Sequence, residues 1–132
     1  MKNKITGWLI DLKNGKSGTV EFEDSLENLY QLCNCKTIDI TVRKIGMFEY
    51  DITCDDEGLL TENPIPTAFD SQRNPMLYGN LLLTNHDDEG SLTSLKEEQI
   101  ADLKKHLGTY VLDDGESVTS TPCINDCEYS DF

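Results

Sequence analysis

The chain has 132 residues, with 25 Asp or Glu against 11 Lys or Arg, for a formal charge of -14. One core of this length can bury enough apolar surface to fold, whereas two would each be marginal, so a single domain is expected. The charge excludes electrostatically driven binding to nucleic acid or to an anionic membrane surface, and it favours a basic partner.

No stretch approaches the roughly 20 consecutive apolar residues that span a bilayer, and the basic N-terminus lacks a signal-peptide apolar core, so the expected location is cytoplasmic. Five cysteines, an odd number in a chain without an export signal, point to reduced thiols.

Ile5 to Leu12 and Thr19 to Glu23 read as strands joined through Asn14-Gly15, a strong hairpin signal. Asp24 and Glu27 form a capping-box pattern ahead of a short helix carrying Leu26, Leu29, Tyr30, Leu32 and Cys33 at helical spacing. From Thr37 to Lys44 the residues Ile38, Ile40 and Val42 alternate with Asp39, Thr41 and Arg43, which predicts a strand with the apolar set facing the core and the other set facing water. After Gly46 the alternation resumes with Phe48, Tyr50, Ile52 and Cys54 on one face.

Residues 55 to 66 are rich in turn formers, and Pro64 and Pro66 forbid an uninterrupted ladder. The run from Met76 to Asn85 predicts one central strand buried on both faces. Ser94 and Glu97 suggest a second capping box, followed by a stripe of Leu95, Ile100, Leu103 and Leu107, with Gly108 at the C′ position. Thr109 to Leu112 can add a last edge strand.

From Asp113 onward the chain holds six acids, no Lys or Arg and few large apolar groups, so residues 113–132 are expected to be a mobile acidic tail on a domain spanning residues 1–112. The element order predicts an α+β fold: an antiparallel or mixed sheet of about five to six strands with two helices packed on one face.

The clusters Asp55-Asp56-Glu57 and Asp87-Asp88-Glu89 invite a hard cation, but a calcium loop needs a glutamate six residues after its glycine, where this chain has Pro64 and Lys96. They read instead as acidic turns. Cys33, Cys35, Cys123 and Cys127 lack the usual two-residue zinc spacer; Cys33 and Cys54 fit the core, and the Cys123 and Cys127 pair is expected in solvent. His106 suits the end of a helix and His86 a solvated polar turn, which leaves no nucleophile with a base, and no phosphate-binding loop occurs. Neither a cofactor nor a catalytic set is expected.

The segment CysAspAspGluGlyLeuLeuThrGluAsnProIlePro, then TyrGlyAsnLeuLeuLeuThrAsnHisAspAspGluGly and SerLeuLysGluGluGlnIleAlaAspLeu, together with SerLeuGluAsnLeuTyrGlnLeu upstream, resembles the domain of unknown function 3846 over roughly residues 4 to 108. That family is found mainly in bacteriophages, plasmids and integrative elements of Gram-positive bacteria. The resemblance implies a compact α+β domain of mobile-element origin and no established activity, so no catalytic residue is carried over. Family members often end near the last helix, which makes the acidic tail a particular addition.

The expected function is stoichiometric binding by a phage or mobile-element accessory protein. Its partner would be a basic host protein, such as a nucleic-acid-binding defence enzyme whose cleft it masks. The binding residues would be Asp55, Asp56, Glu57, Asp87, Asp88 and Glu89, supported by Asp126, Glu128, Asp131 and Phe132, with Tyr110, Tyr129 and Phe132 as the aromatic candidates for binding. Two other classes remain: a small-molecule or nucleotide-signal binder using Arg43, Lys44 and Arg73, and a structural or regulatory module.

Overall fold

A computed structural model describes residues 4–57, 64–113 and 115–129. The opening hairpin forms as its turn signal requires: β1 (Lys4–Asp11) pairs with β2 (Lys16–Glu23) in full register, and Gly15 takes the positive φ of 63° that the tight turn needs. Helix α1 (Leu26–Cys33) is capped one residue later than the spacing predicts, because the Ser25 side chain accepts from Asn28 N at 3.2 Å; Asn34 ends it in the left-handed conformation.

Strands β3 (Ile38–Ile45) and β4 (Phe48–Asp55) form the second antiparallel pair. The long run after Pro75 is two strands, β6 (Pro75–Tyr78) and β7 (Leu81–His86), with β5 (Pro66–Phe69) preceding them. The break falls at Gly79, whose φ is 78° and whose N donates to Ile65 O at 2.9 Å. A short β8 (Leu92–Thr93), helix α2 (Glu97–Lys104), β9 (Leu107–Asp113), β10 (Val118–Ile124) and β11 (Cys127–Tyr129) complete the chain.

The expected Ser94–Glu97 capping box does not form; the N-cap falls two residues later, at Lys96. Gln99 Oε1 accepts from Lys96 N at 2.9 Å, but Ser94 Oγ accepts instead from Thr6 N at 2.9 Å, which ties the start of the helix to β1. Gly108 lies within β9 rather than at a left-handed C′ position.

Among the described residues two sheets result, in place of one with five or six strands. Seven strands make the larger, in the order β11-β3-β4-β7-β1-β2 with β8 added on β7; four make the smaller, β6-β5-β10-β9. Strand β7 sits centrally in the larger sheet, so Leu81, Leu82 and Leu83 are all fully buried, as a strand covered on both faces requires. One face carries Trp8, Ile10, Ile45, Tyr50, Ile52, Leu81 and Leu83 against Ala68, Leu77 and Ile124 of the smaller sheet and Leu95 and Leu103 around α2. The other carries Ile5, Leu9, Phe22 and Leu82 against Leu29 and Cys33 of α1. The two helices therefore pack on opposite faces, because alternate residues of β1 and β7 are apolar on both sides and each side needs a cover.

The expected division of β3 is reversed in part. Arg43 and Ile45 pair with Tyr50 and Phe48 on the face toward the main core, whereas Ile40 is 45% exposed on the other side.

The segment expected to be a mobile tail is part of the fold through residue 129. Strand β10 pairs antiparallel with β9 and meets β5 in parallel at Ile124 and Ala68, and β11 pairs with β3. Ile124 and Cys127 are completely buried, and Thr121 and Cys123 nearly so, which is the apolar burial that a count of acids along the segment hides. Asp131 and Phe132 lie outside the described residues.

Candidate functional site

The registers gather acidic side chains at one end of the larger sheet. Trp8 faces Leu83 across β1 and β7, so the start of β1 lies level with the end of β7, and Lys4 pairs with Glu23 on β2. Around this end stand three exposed acidic segments: Glu21, Glu23, Asp24 and Glu27 leading into α1; Asp87, Asp88 and Glu89 in the β7–β8 turn; and Glu97 and Glu98 in the first turn of α2. The last is brought in by Leu95 N, which donates to Thr6 O at 2.9 Å. Lys4 and Lys96 are the cations interspersed among them. At this end residues 92–95 lie between β7 and the start of β1, so Asp87 and Glu23 stand three strand spacings apart, about 14 Å at about 4.8 Å per spacing.

Behind this rim a buried carboxylate meets a histidine. Asp51 is 4% exposed, and His86 Nδ1 lies 2.8 Å from its Oδ2 and 3.0 Å from its Oδ1. His86 is thus the partner of a buried acid, rather than a freely solvated turn residue. Val42, Glu49 and Asn85 join the pair around a shallow recess of about 240 Å³.

The residues expected to bind do not form one surface. Asp51 pairs with Thr84; from that rung Asp55 lies four residues toward one end of the sheet and Asp87 three toward the other. At about 3.3 Å per residue the two acidic clusters stand about 23 Å apart along the strands, so Asp55, Asp56 and Glu57 occupy the far end. Their leading carboxylates also close their own turns: Asp55 Oδ1 accepts from Glu57 N at 2.9 Å, and Asp87 Oδ1 accepts from Glu89 N and Ser91 N at 2.9 Å.

Asp126 and Glu128 are engaged within the fold. Glu128 Oε1 accepts from Ser71 N at 3.0 Å, and Asp126 Oδ2 lies 2.9 Å from His106 Nδ1. The other ring nitrogen, Nε2, lies 3.9 Å from Asp102 Oδ1. Gly46, at a φ of 61°, lies so close to this histidine that an added Cβ would run into His106 Nε2 and Asp102 Oδ2. A groove of about 580 Å³ opens beside it, lined by Lys44, Gly46, Ser71, His106, Asp126, Glu128 and Tyr129. Both nitrogens of His106 face carboxylates, so the serine, histidine and acid around this groove do not make a nucleophile and base pair.

Residues 5–108 match the family model described as Domain of unknown function (DUF3846). The chain belongs to this family. No curated protein and no solved structure matches it.

In this DUF3846 domain the matched span runs from β1 into the first residues of β9, leaving β10 and β11 beyond it. The thiols are held protonated. Burial, reinforced by Cys35, Cys54 and Asp55, pushes Cys33 up to about 12; burial pushes Cys127 up to about 12 and Cys54 to about 11, and it also raises Cys35 and Cys123. Contrary to the expected solvent exposure, Cys123 and Cys127 are buried. Among the described residues no group of three or more His, Cys, Asp or Glu is arranged to hold a metal ion, and no helix is long and apolar enough to cross a membrane.

The cations expected to face a nucleotide are dispersed. The Arg43 guanidinium stands 4.3 Å over the Tyr129 ring, Lys44 faces Glu128 and Glu49 across its two neighbouring strands, and Arg73 occupies the β5–β6 turn. Glu21, Glu23, Asp24, Glu27, Glu97 and Glu98 join the rim without forming a contiguous acidic run; their signal in the sequence is the clustering of acids at helix starts and strand ends.

Proposed function

We propose that this DUF3846 domain is a non-catalytic binding protein for a cationic protein surface, engaged through the acidic rim around Asp87, Asp88 and Glu89. The observation that carries this reading is the convergence of three acidic segments, distant in sequence, at one end of the larger sheet. Such a rim presents anions at fixed spacing, and it would steer and hold a partner whose own field attracts phosphates. In a phage or mobile-element setting, a nucleic-acid-binding defence enzyme of the host is a partner of this chemistry. Masking its cleft requires stoichiometric binding and no reaction.

The test uses a panel of purified basic nucleic-acid-binding proteins, with binding measured at low and at physiological salt. Replacing Asp87, Asp88 and Glu89 together by Lys is expected to weaken binding at least tenfold and to flatten its salt dependence. Replacing Asp55, Asp56 and Glu57 by Lys, at the far end of the sheet, is expected to change it much less. Equal effects from the two triple variants, or none from the first, would overturn the reading.

A further inference from the structure

We infer that β9 is the edge through which two copies of this chain pair, antiparallel and about a two-fold axis, joining their smaller sheets. Among the described residues, strand β9 is the terminal strand of the four-stranded sheet, bonded on one side only, to β10. A free edge of seven residues presents alternating N–H and C=O groups whose natural complement is another strand.

The other sheet edges are defended. Strand β2 carries Lys16, Glu21 and Glu23, β6 begins at Pro75 and is four residues long, and β11 is three residues long. Along β9 the stretch Leu107 to Leu112 contains no charge and no proline and runs in continuous register against β10, the strand's one charge being the terminal Asp113. Val111 on this edge and Val118 on β10 are each 68% exposed.

Charge selects both the occupant and its direction. In a chain of net charge -14, a second copy can approach closely only along a neutral stretch, and Leu107–Leu112 with Val118–Ile124 forms one. Lys104 and Lys105 stand immediately before β9, whereas Asp113 and Glu116 stand at its far end. An antiparallel pairing centred on Tyr110 sets Asp113 of each copy opposite Leu107 of the other and brings the acidic end toward the other copy's lysines. A parallel pairing would set acids against acids and is disfavoured.

Sedimentation equilibrium of the full chain over a wide concentration range tests this. The expected result is a reversible dimer. Val111→Lys, at an exposed position, is expected to raise the dissociation constant at least tenfold while circular dichroism shows an unchanged fold. Lys104→Glu with Lys105→Glu, and separately Asp113→Lys with Glu116→Lys, should each weaken the dimer, and mixing the two variants should restore pairing between them. A chain that stays monomeric at every concentration, a dimer indifferent to Val111→Lys, or charge variants that fail to rescue one another would overturn the assignment. Pairing of β9 with an extended segment of another protein would appear as a monomer and would likewise overturn it.

Discussion

His86 and Asp51 divide their exposure unevenly: about half of the histidine side chain reaches solvent, whereas the carboxylate it touches at 2.8 Å is 5% exposed. Asp51 stands in the middle of β4, and the contact to the last residue of β7 supplies a side-chain partner that its strand neighbours do not. Replacing His86 by Ala leaves that buried acceptor without this contact. A cost of about 1 to 2 kcal/mol is expected, at the lower end of what an unpaired buried group usually costs because the histidine side is hydrated. Chemical denaturation checks it, and an unchanged midpoint would show that solvent satisfies Asp51 equally well.

Thr84 lies directly across from Asp51, yet its Oγ1 is buried without a hydrogen-bond partner among the described residues, as is Oγ1 of Thr53. Valine has nearly the same shape and no hydroxyl to desolvate. Thr84→Val and Thr53→Val are therefore each expected to leave stability unchanged or to raise it by about 1 kcal/mol, in contrast to the usual loss from a core substitution. A fall in melting temperature for both would mean that the hydroxyls have partners in solution.

Local signals made much of the strand content legible. Asn14-Gly15 marked the first hairpin, the alternation of Phe48, Tyr50, Ile52 and Cys54 marked β4, and Leu81 to Leu83 marked a doubly covered strand. What stayed hidden depends on contacts between distant residues. The covering of both faces by different helices follows from how β7 pairs with β1 and β4, and the parallel meeting of Ile124 with Ala68 leaves no local pattern. The acidic rim was half legible: its turn at Asp87 stood out as a run, but its neighbours from α1 and α2 are joined to it only by the strand register.

The thiols set a ceiling on alkaline stability. Cys33 and Cys127 are pushed from 9.0 to about 12 and Cys54 from 9.0 to about 11, chiefly by burial. Above pH 9 the unfolded chain loses these protons while the folded chain keeps them, so the unfolded state binds fewer protons and stability falls as pH rises. Each thiol contributes a slope of about 1.4 kcal/mol per pH unit between its unfolded and folded values. Stability is expected to be insensitive to these groups below pH 9 and to decline steeply from pH 9 to about 12. Replacing Cys33 and Cys127 by Ala should reduce that slope even where it lowers stability at neutral pH; an identical slope would assign the loss to other groups.

The end of the described chain gives the sharpest contrast between composition and packing. If the segment after Leu112 were a solvated tail, ending the chain there would leave the domain intact. The structure instead has β10 between β5 and β9, and Ile124 and Cys127 completely buried in the main core. A chain ending at Leu112 loses the strand that holds the smaller sheet together and exposes the apolar faces of Ala68 and Ile45, so it is expected to show no cooperative thermal transition. Ile124→Ala is the milder form of the same test. It removes a fully buried side chain at the one point where β5 and β10 pair, and should cost about 2 to 5 kcal/mol, depending on how far Ala68, Leu77 and Leu103 close the space. A truncated chain that melts cooperatively at the full-length temperature, or an Ile124→Ala variant of unchanged stability, would return this segment to solvent.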